Sequence, residues 1–305
     1  MQTIEGVKNN HIVKILKGSS DIKFIVIGGM HGNEHSGLMA FEKIIPTLKK
    51  VYHPEKGSIY FLKGNIKALQ KNERFIDKDL NRLWLKKYIN NEDDTNVEIK
   101  QLKILNALIT NDICQNKFDN CFFLDLHTFS AKSGVFCIPA SNAKSEAFAL
   151  SFGTPFIEKL AEILPGTALS YFGNKGMTSV VFEGGTHNTP EATQNLIAAL
   201  WHSFAYAGLV DDNLPQVIQS RQHIQKISYQ YPHQLELIYH HKLKDWHHFK
   251  MNRGYYNFKP IEKSENLAYQ DNKKILSPSQ GYILMPLYQK KGSDGFFIVK
   301  EKKPE

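Results

Sequence analysis

The first 210 residues predict an α/β domain of three layers, with helices over both faces of a sheet, and the remainder predicts a smaller β-rich unit. Two observations carry this reading. Short apolar runs alternate with longer amphipathic ones as far as about residue 210, the pattern of strands feeding helices. At VDDNLP (210–215) strong turn chemistry ends that regime, dividing the chain into a domain over 1–212 and a C-terminal domain over 213–305.

KFIVIGG (23–29) is short and apolar enough for a buried strand, and LMAFEKIIPTL (38–48) carries apolar residues at helical spacing. SIYFLKG (58–64), CFFLDLH (121–127), SGVFCIPA (133–140) and SVVFEGG (179–185) are read as further strands. Helices are expected at 97–110, 143–151, 155–164 and 190–208. Past residue 216, QLELIYHHKL and GYILMPLY, punctuated by SPSQG and KKGSDG, suggest antiparallel strands.

The 305 residues, 42% hydrophobic and 22% charged, have ample apolar side chain for a core, which excludes disorder, collagen and coiled coil. The longest apolar run, Phe24 to Met30, falls far short of the roughly 20 residues a bilayer crossing needs. MQTIEGVKNN lacks the apolar core of a secretory signal, so no membrane partner and a cytoplasmic location are expected. Cys114, Cys121 and Cys137 form an odd set without a Cys-x-x-Cys pair; buried thiols are expected, not disulfides or a thiolate zinc site. The net charge of +8 comes from scattered lysines, and the one dense basic stretch, KEKKPE, ends the chain. An acidic small molecule is therefore expected as partner, and nucleic acid is not.

Four short segments carry chemistry. Strand 23–29 runs into Gly28-Gly29-Met30-His31-Gly32-Asn33-Glu34-His35, which places His31 and Glu34 at a strand's carboxyl end, where open α/β sheets put ligands. An imidazole and a carboxylate three residues apart around such a turn can reach one ion, and catalytic zinc commonly takes two His and one Glu; the alternative is a surface His beside a helix-start Glu. In Leu124-Asp125-Leu126-His127, period-2 alternation sets Asp125 and His127 on one face. His127 would be the third ligand; Asp125 would orient an imidazole or form a plain salt bridge. Glu183 follows Val180-Val181-Phe182 and precedes two glycines, a poor place for a solvated charge. It reads as a general base with raised pKa, or as an edge-strand acid paired with a lysine such as Lys175. Finally, Arg74-Phe75-Ile76-Asp77-Lys78-Asp79-Leu80-Asn81-Arg82 holds two guanidinium forks and an amide, which can form a clamp for carboxylates or an ordinary charged loop.

The order HGNE (31–34), RFIDKDLNR (74–82), DLHT (125–128) and FEGG (182–185) resembles the succinylglutamate desuccinylase and aspartoacylase family, whose fold is that of the zinc carboxypeptidases. ILMPLYQKKGSDGFF (283–297) also resembles the family's small C-terminal domain. The resemblance implies that His31, Glu34 and His127 hold one zinc per chain and that Glu183 is the general base and acid. It implies that Arg74 polarises the scissile carbonyl, that Asn81 and Arg82 grip the substrate carboxylate, and that Tyr288 reaches into the pocket; alternatively Tyr288 is a packing aromatic. The reaction implied is hydrolysis of an amide, or an ester, beside a carboxylate, with an N-acyl amino acid as substrate. A metallocarboxypeptidase acting on peptides and a non-catalytic zinc- or anion-binding module are the alternatives. Gly184-Gly185-Thr186-His187 after Glu183 departs from the family's usual Val-Gly or Leu-Gly. The resemblance implies that this loop shapes the acyl pocket, so the departure leaves the substrate open, and His187 is read as a pocket donor or a helix-flanking residue.

Overall fold

A computed structural model describes residues 10–90, 95–132 and 134–302. Residues 1–9 of the N-terminal stretch, Ser133 of the expected strand 133–140, and the last three residues of KEKKPE lie outside them. The strands are β1 (Ile12–Leu16), β2 (Lys23–Gly28), β3 (Ser58–Lys63), β4 (Cys121–Phe129), β5 (Phe136–Pro139), β6 (Phe156–Glu158), β7 (Thr178–Thr186), β8 (Gln234–Lys242), β9 (Phe249–Met251), β10 (Lys259–Ile261), β11 (Asn266–Gln270), β12 (Lys273–Leu276), β13 (Gly281–Leu284) and β14 (Asp294–Glu301). Eleven of them form one sheet in the order β1-β3-β2-β4-β7-β5-β6-β8-β14-β13-β10, and β12-β11-β9 form a second.

The centre of the large sheet is parallel. β2 lies between β3 and β4, and β4 pairs onward with β7. Phe24 to Ile27 in β2 are fully buried because helices cover both faces. On one face, helices Ser36–Val51 and Pro190–Tyr206 pack Phe41, Ile44, Leu200 and Phe204 against Phe24 and Val26. On the other, helix Val97–Ala107 contributes Ile99, Leu102 and Leu105 to a core with Ile25 and Ile27. These two cores make the three layers. Helix 190–206 starts with Thr189 accepting from the Ala192 amide and Pro190 in the first turn, which is favourable start chemistry.

Two expectations are corrected, and one strand goes beyond them. The segment 155–164 is not one helix: Phe156–Glu158 is a strand and only Leu160–Ile163 is helical. Its helical spacing is overridden because Phe156 and Ile157 fill the slot between β5 and β8, and Lys159 adopts a left-handed conformation, φ 63°, that breaks the run. Residues 215–228, expected among the β-rich tail, form helix Pro215–Ser228, with Val217 and Ile224 in the core under helix 190–206. Antiparallel strands begin only at Gln234. The edge strand β1 was not expected; it pairs antiparallel with β3. The tail strands continue the main sheet through the parallel pairing of β6 with β8. Cys114, Cys121 and Cys137 are buried free thiols, and no helix among the described residues is long and apolar enough to cross a membrane.

Candidate metal centre and active site

The carboxyl ends of β2, β4 and β7 converge on one cavity lined by His31, Glu34, Arg74, Asn81, Arg82, His127 and Glu183. Gly32 explains how the first loop gets there. Its amide donates to the Arg74 carbonyl at 3.1 Å, and a Cβ on it would come within 2.1 Å of the Ala68 backbone and 2.4 Å of the Glu73 carbonyl. Only glycine lets the 31–34 loop lie this close to the Arg74 loop.

His31, Glu34 and His127 are all buried and offer ligand atoms within 4.8 Å of one another. His31 Nδ1 is 2.7 Å from Glu34 Oε1, and His127 Nδ1 is 3.3 Å from Glu34 Oε2. The far nitrogen of each ring faces an aspartate: His31 Nε2 is 3.1 Å from Asp79 Oδ1, and His127 Nε2 is 3.0 Å from Asp125 Oδ2. Carboxylates that fix the outer nitrogens and aim the inner ones at a common point are the usual support of metal-binding histidines. Two imidazoles and one carboxylate therefore fit a divalent ion. The Thr128 amide donates to Glu34 Oε2 at 2.8 Å, which orients the carboxylate.

The electrostatics are those of a dense charge cluster. Burial opposes ionisation of Glu34, yet His31 and His127 outweigh it and hold the carboxyl well below its usual range. Asp79 is also held low: burial works against the charge, and His31 and Arg74 overcome it. Burial would discharge His127, but Asp125 and Glu34 push its pKa well above the ordinary imidazole value.

Glu183 sits opposite His127 in the β4–β7 register. It is 7% exposed, and its Oε2 is buried without a hydrogen-bond partner among the described residues. Burial, partly offset by His127, raises its pKa to about 8. Lys175 does not take up the alternative pairing, since its ammonium lies over the Phe118 and Tyr171 rings.

The 74–82 segment is held by a residue that no local signal marked. Buried Glu98, on helix 97–107, accepts from the amides of Ile76, Asp77 and Lys78 at 2.7, 3.0 and 3.1 Å. So anchored, Arg74 donates from Nη2 to Asp79 Oδ2 at 3.1 Å and leaves Nε buried and unpartnered beside the cluster. Asn81 Oδ1 accepts from the Ala168 amide at 2.9 Å while Nδ2 lies 3.4 Å from His127 Nε2. Arg82 donates from Nη2 to Asp294 Oδ2 at 2.6 Å and from Nη1 to the Asn81 carbonyl at 2.9 Å. Asp294 is bound by His240 Nε2 at 2.8 Å as well. Although burial opposes its charge, His240 and Arg82 hold its pKa below the usual range.

Seven of the eight expected site residues thus come together. Tyr288 does not. Its hydroxyl donates to the Asn252 and Tyr255 carbonyls at 2.8 and 3.0 Å, and it is 40% exposed, outside the cavity lining. The tyrosine ties the tail to itself because those carbonyls lie within its reach. His187 is one step removed from the cavity: its Nδ1 is hydrogen-bonded to Thr128 Oγ1 at 2.8 Å. Asp79, Asp294, Glu98 and Thr128 complete the site without having been singled out. Asp79 lay inside a recognised segment, whereas Asp294 and Glu98 act across long separations in sequence.

The succinylglutamate desuccinylase/aspartoacylase catalytic domain model matches residues 20–189, more than half of the chain. A probable aspartoacylase of Acaryochloris marina is 32% identical over 111 residues, which is 36% of this chain and 36% of that protein. A succinylglutamate desuccinylase of Pseudomonas paraeruginosa is 30% identical over 63 residues, 21% of this chain and 19% of its own length. The chain therefore matches only about a third or less of the length of these curated relatives. Among solved structures, a succinylglutamate desuccinylase/aspartoacylase from Rhodobacter sphaeroides superposes with TM-score 0.68 at 15% identity, over 95% of this chain and 88% of that one. Murine aminoacylase 3 superposes with TM-score 0.61 at 16% identity, over 92% and 96% of the two chains. The four motifs, the matched catalytic domain and the shared fold agree: this chain belongs to the succinylglutamate desuccinylase/aspartoacylase family.

Proposed function

We propose that the protein is a zinc-dependent amidohydrolase that removes the acyl group from a small, carboxylate-bearing N-acyl amino acid. The observation that carries this reading is the meeting of a buried His-Glu-His donor set with an unpartnered Glu183 oxygen in one cavity. One zinc held by His31, Glu34 and His127 would polarise the scissile carbonyl and make the attacking water more acidic. A cation at that centre also favours the ionised form of Glu183. Glu183 takes the proton of the attacking water at Oε2 as the carbon–oxygen bond forms, and returns it to the leaving nitrogen as the carbon–nitrogen bond breaks. Arg74, with Nε unpartnered, donates to the developing oxyanion, a contact typically worth about 3–4 kcal/mol. Arg82 and Asn81 take the substrate carboxylate.

The unpartnered Glu183 Oε2 disfavours a module that only binds zinc or anions. The segment 285–292, which contributes Met285, Pro286, Leu287 and Gln289 to the cavity wall, is tied by Gln289 to Asn33 and by the Tyr288 amide to Ser130. A wall fixed there suits a small substrate better than a peptide. Buried unpaired thiols support a reducing, cytoplasmic location. A hydrolysis screen of the zinc-loaded and chelated protein over N-acetyl, N-succinyl and N-formyl amino acids, with short peptides alongside, tests the reading. Zinc-dependent release of an amino acid is expected; cleavage of peptides alone would replace it with the carboxypeptidase.

A further inference from the structure

The polar residues described above occupy only part of the cavity. Most of its remaining wall is apolar and comes from four separate segments: Ile138 of β5, Leu164 and Leu169 on either side of Thr167, Val181 of β7, and Leu287 with Phe297 from the tail; Ser130, Thr167 and Gln289 add only uncharged polar groups. Five of these six belong to or adjoin one buried core shared by the catalytic sheet and the tail strands, so the wall is fixed by packing and its faces toward the cavity are preformed. The cavity's charges are also unevenly distributed. Among the described lining residues there is no lysine, and the two arginines each already face an acid, Arg74 with Asp79 and Arg82 with Asp294. Arg82 keeps guanidinium donors for one incoming carboxylate beyond its bonds to Asp294 and the Asn81 carbonyl. With Arg74 and the metal centre engaged at the scissile carbonyl, a second carboxylate would meet either Asp294 or the apolar wall, with no further cation to pair with.

Resting on the deacylase reading, we propose that this site selects N-acyl amino acids with one carboxylate and one sizeable apolar group, in place of substrates with two carboxylates. Asp294 and the Ile138–Leu164–Leu169–Val181 wall are the specificity-determining features. The apolar group belongs either to the acyl chain or to the amino-acid side chain, since both place hydrocarbon beside the scissile bond.

The test compares kcat/KM of the zinc-loaded enzyme for N-acetyl-L-leucine, N-hexanoylglycine, N-acetyl-L-aspartate and N-succinyl-L-glutamate, and measures hexanoate and succinate binding by calorimetry. At least one apolar substrate is expected to exceed both dicarboxylates by about tenfold or more, because such a pocket gains from each buried methylene. The leucine and hexanoyl arms identify which end carries the apolar group. Hexanoate should bind about tenfold more tightly than succinate, and Leu164→Asn should narrow both preferences. A preference for either dicarboxylate, or tighter succinate binding by the wild type, overturns the proposal whatever the variant does. Tight hexanoate binding with no hydrolysis of any N-acyl amino acid would uphold the apolar site and overturn the deacylase reading, so the two failures are distinguishable.

Discussion

His127 and Glu183 are direct register partners across the parallel strands β4 and β7. Side chains at paired positions of neighbouring strands project to the same side of the sheet, so this single register places an acid with a raised pKa beside a metal-ligand candidate. A slip of one residue would turn Glu183 to the opposite face. On its other side Glu183 pairs in register with Phe136 of β5, so the carboxyl stands on an interior strand, and its burial raises its pKa.

If His31 and His127 are ligands, His31→Ala and His127→Ala should each lose the metal that the wild type retains at about one ion per chain. Metal analysis after dialysis reads the outcome, and full occupancy in both variants would move the centre elsewhere.

Glu183→Gln should keep metal and fold but lower turnover by about 10² or more, because the amide preserves shape without accepting a proton. Steady-state kinetics with a metal assay on the same sample checks this, and unchanged turnover would assign the base to another residue.

The raised pKa of Glu183 has a consequence for the metal-free protein. Between the ordinary value of 4.5 and the folded value of about 8 the native state holds a proton that the unfolded state releases, so raising the pH through that window destabilises the fold. A tenfold change in proton affinity corresponds to about 1.4 kcal/mol, which makes the contribution a few kcal/mol at most. His127, raised in the native state, also stabilises below its ordinary value of 6.5 and loses that effect as pH rises through its folded pKa. Chelated Glu183→Gln should therefore become more stable relative to chelated wild type from pH 5 to pH 8. Parallel unfolding midpoints across that range would show that Glu183 is ionised at neutral pH.

Asp79 is hydrogen-bonded to the outer nitrogen of His31, and Asp125 lies 3.0 Å from that of His127. Asp79→Asn and Asp125→Asn should each weaken metal affinity by about 10- to 100-fold while leaving the ligands present. Competition with a chromogenic chelator measures the change, and unaltered affinity in both would reduce the aspartates to structural salt bridges.

The arginines should separate kinetically. Arg82→Lys removes a planar fork from the ground-state carboxylate and should act mainly on KM, whereas Arg74→Lys, at the developing oxyanion, should act mainly on kcat. Loss of thermal stability together with activity in both variants would mean that the pair only secures the 74–82 loop.

The sequence by itself determined the central strands, the H-x-x-E turn at the end of β2 and the shared face of Asp125 and His127, because these depend on residues a few positions apart. Period-2 alternation decides which side chains share a face, and a strand running into a helix decides where that face becomes a site. The family motifs likewise picked out seven residues that the fold brings to one cavity. Tertiary structure alone decided the rest. Arg82 and Asp294 are separated by 212 positions and meet only because β14 joins the main sheet through β8. Glu98 gathers three loop amides from a helix some twenty residues downstream. Tyr288 turned away from the cavity because backbone carbonyls at 252 and 255 captured its hydroxyl. The segment 155–164 became strand where its spacing read as helix, because the gap between β5 and β8 required one. Such outcomes depend on which distant segments supply hydrogen-bond partners and apolar walls, and local spacing carries no record of them.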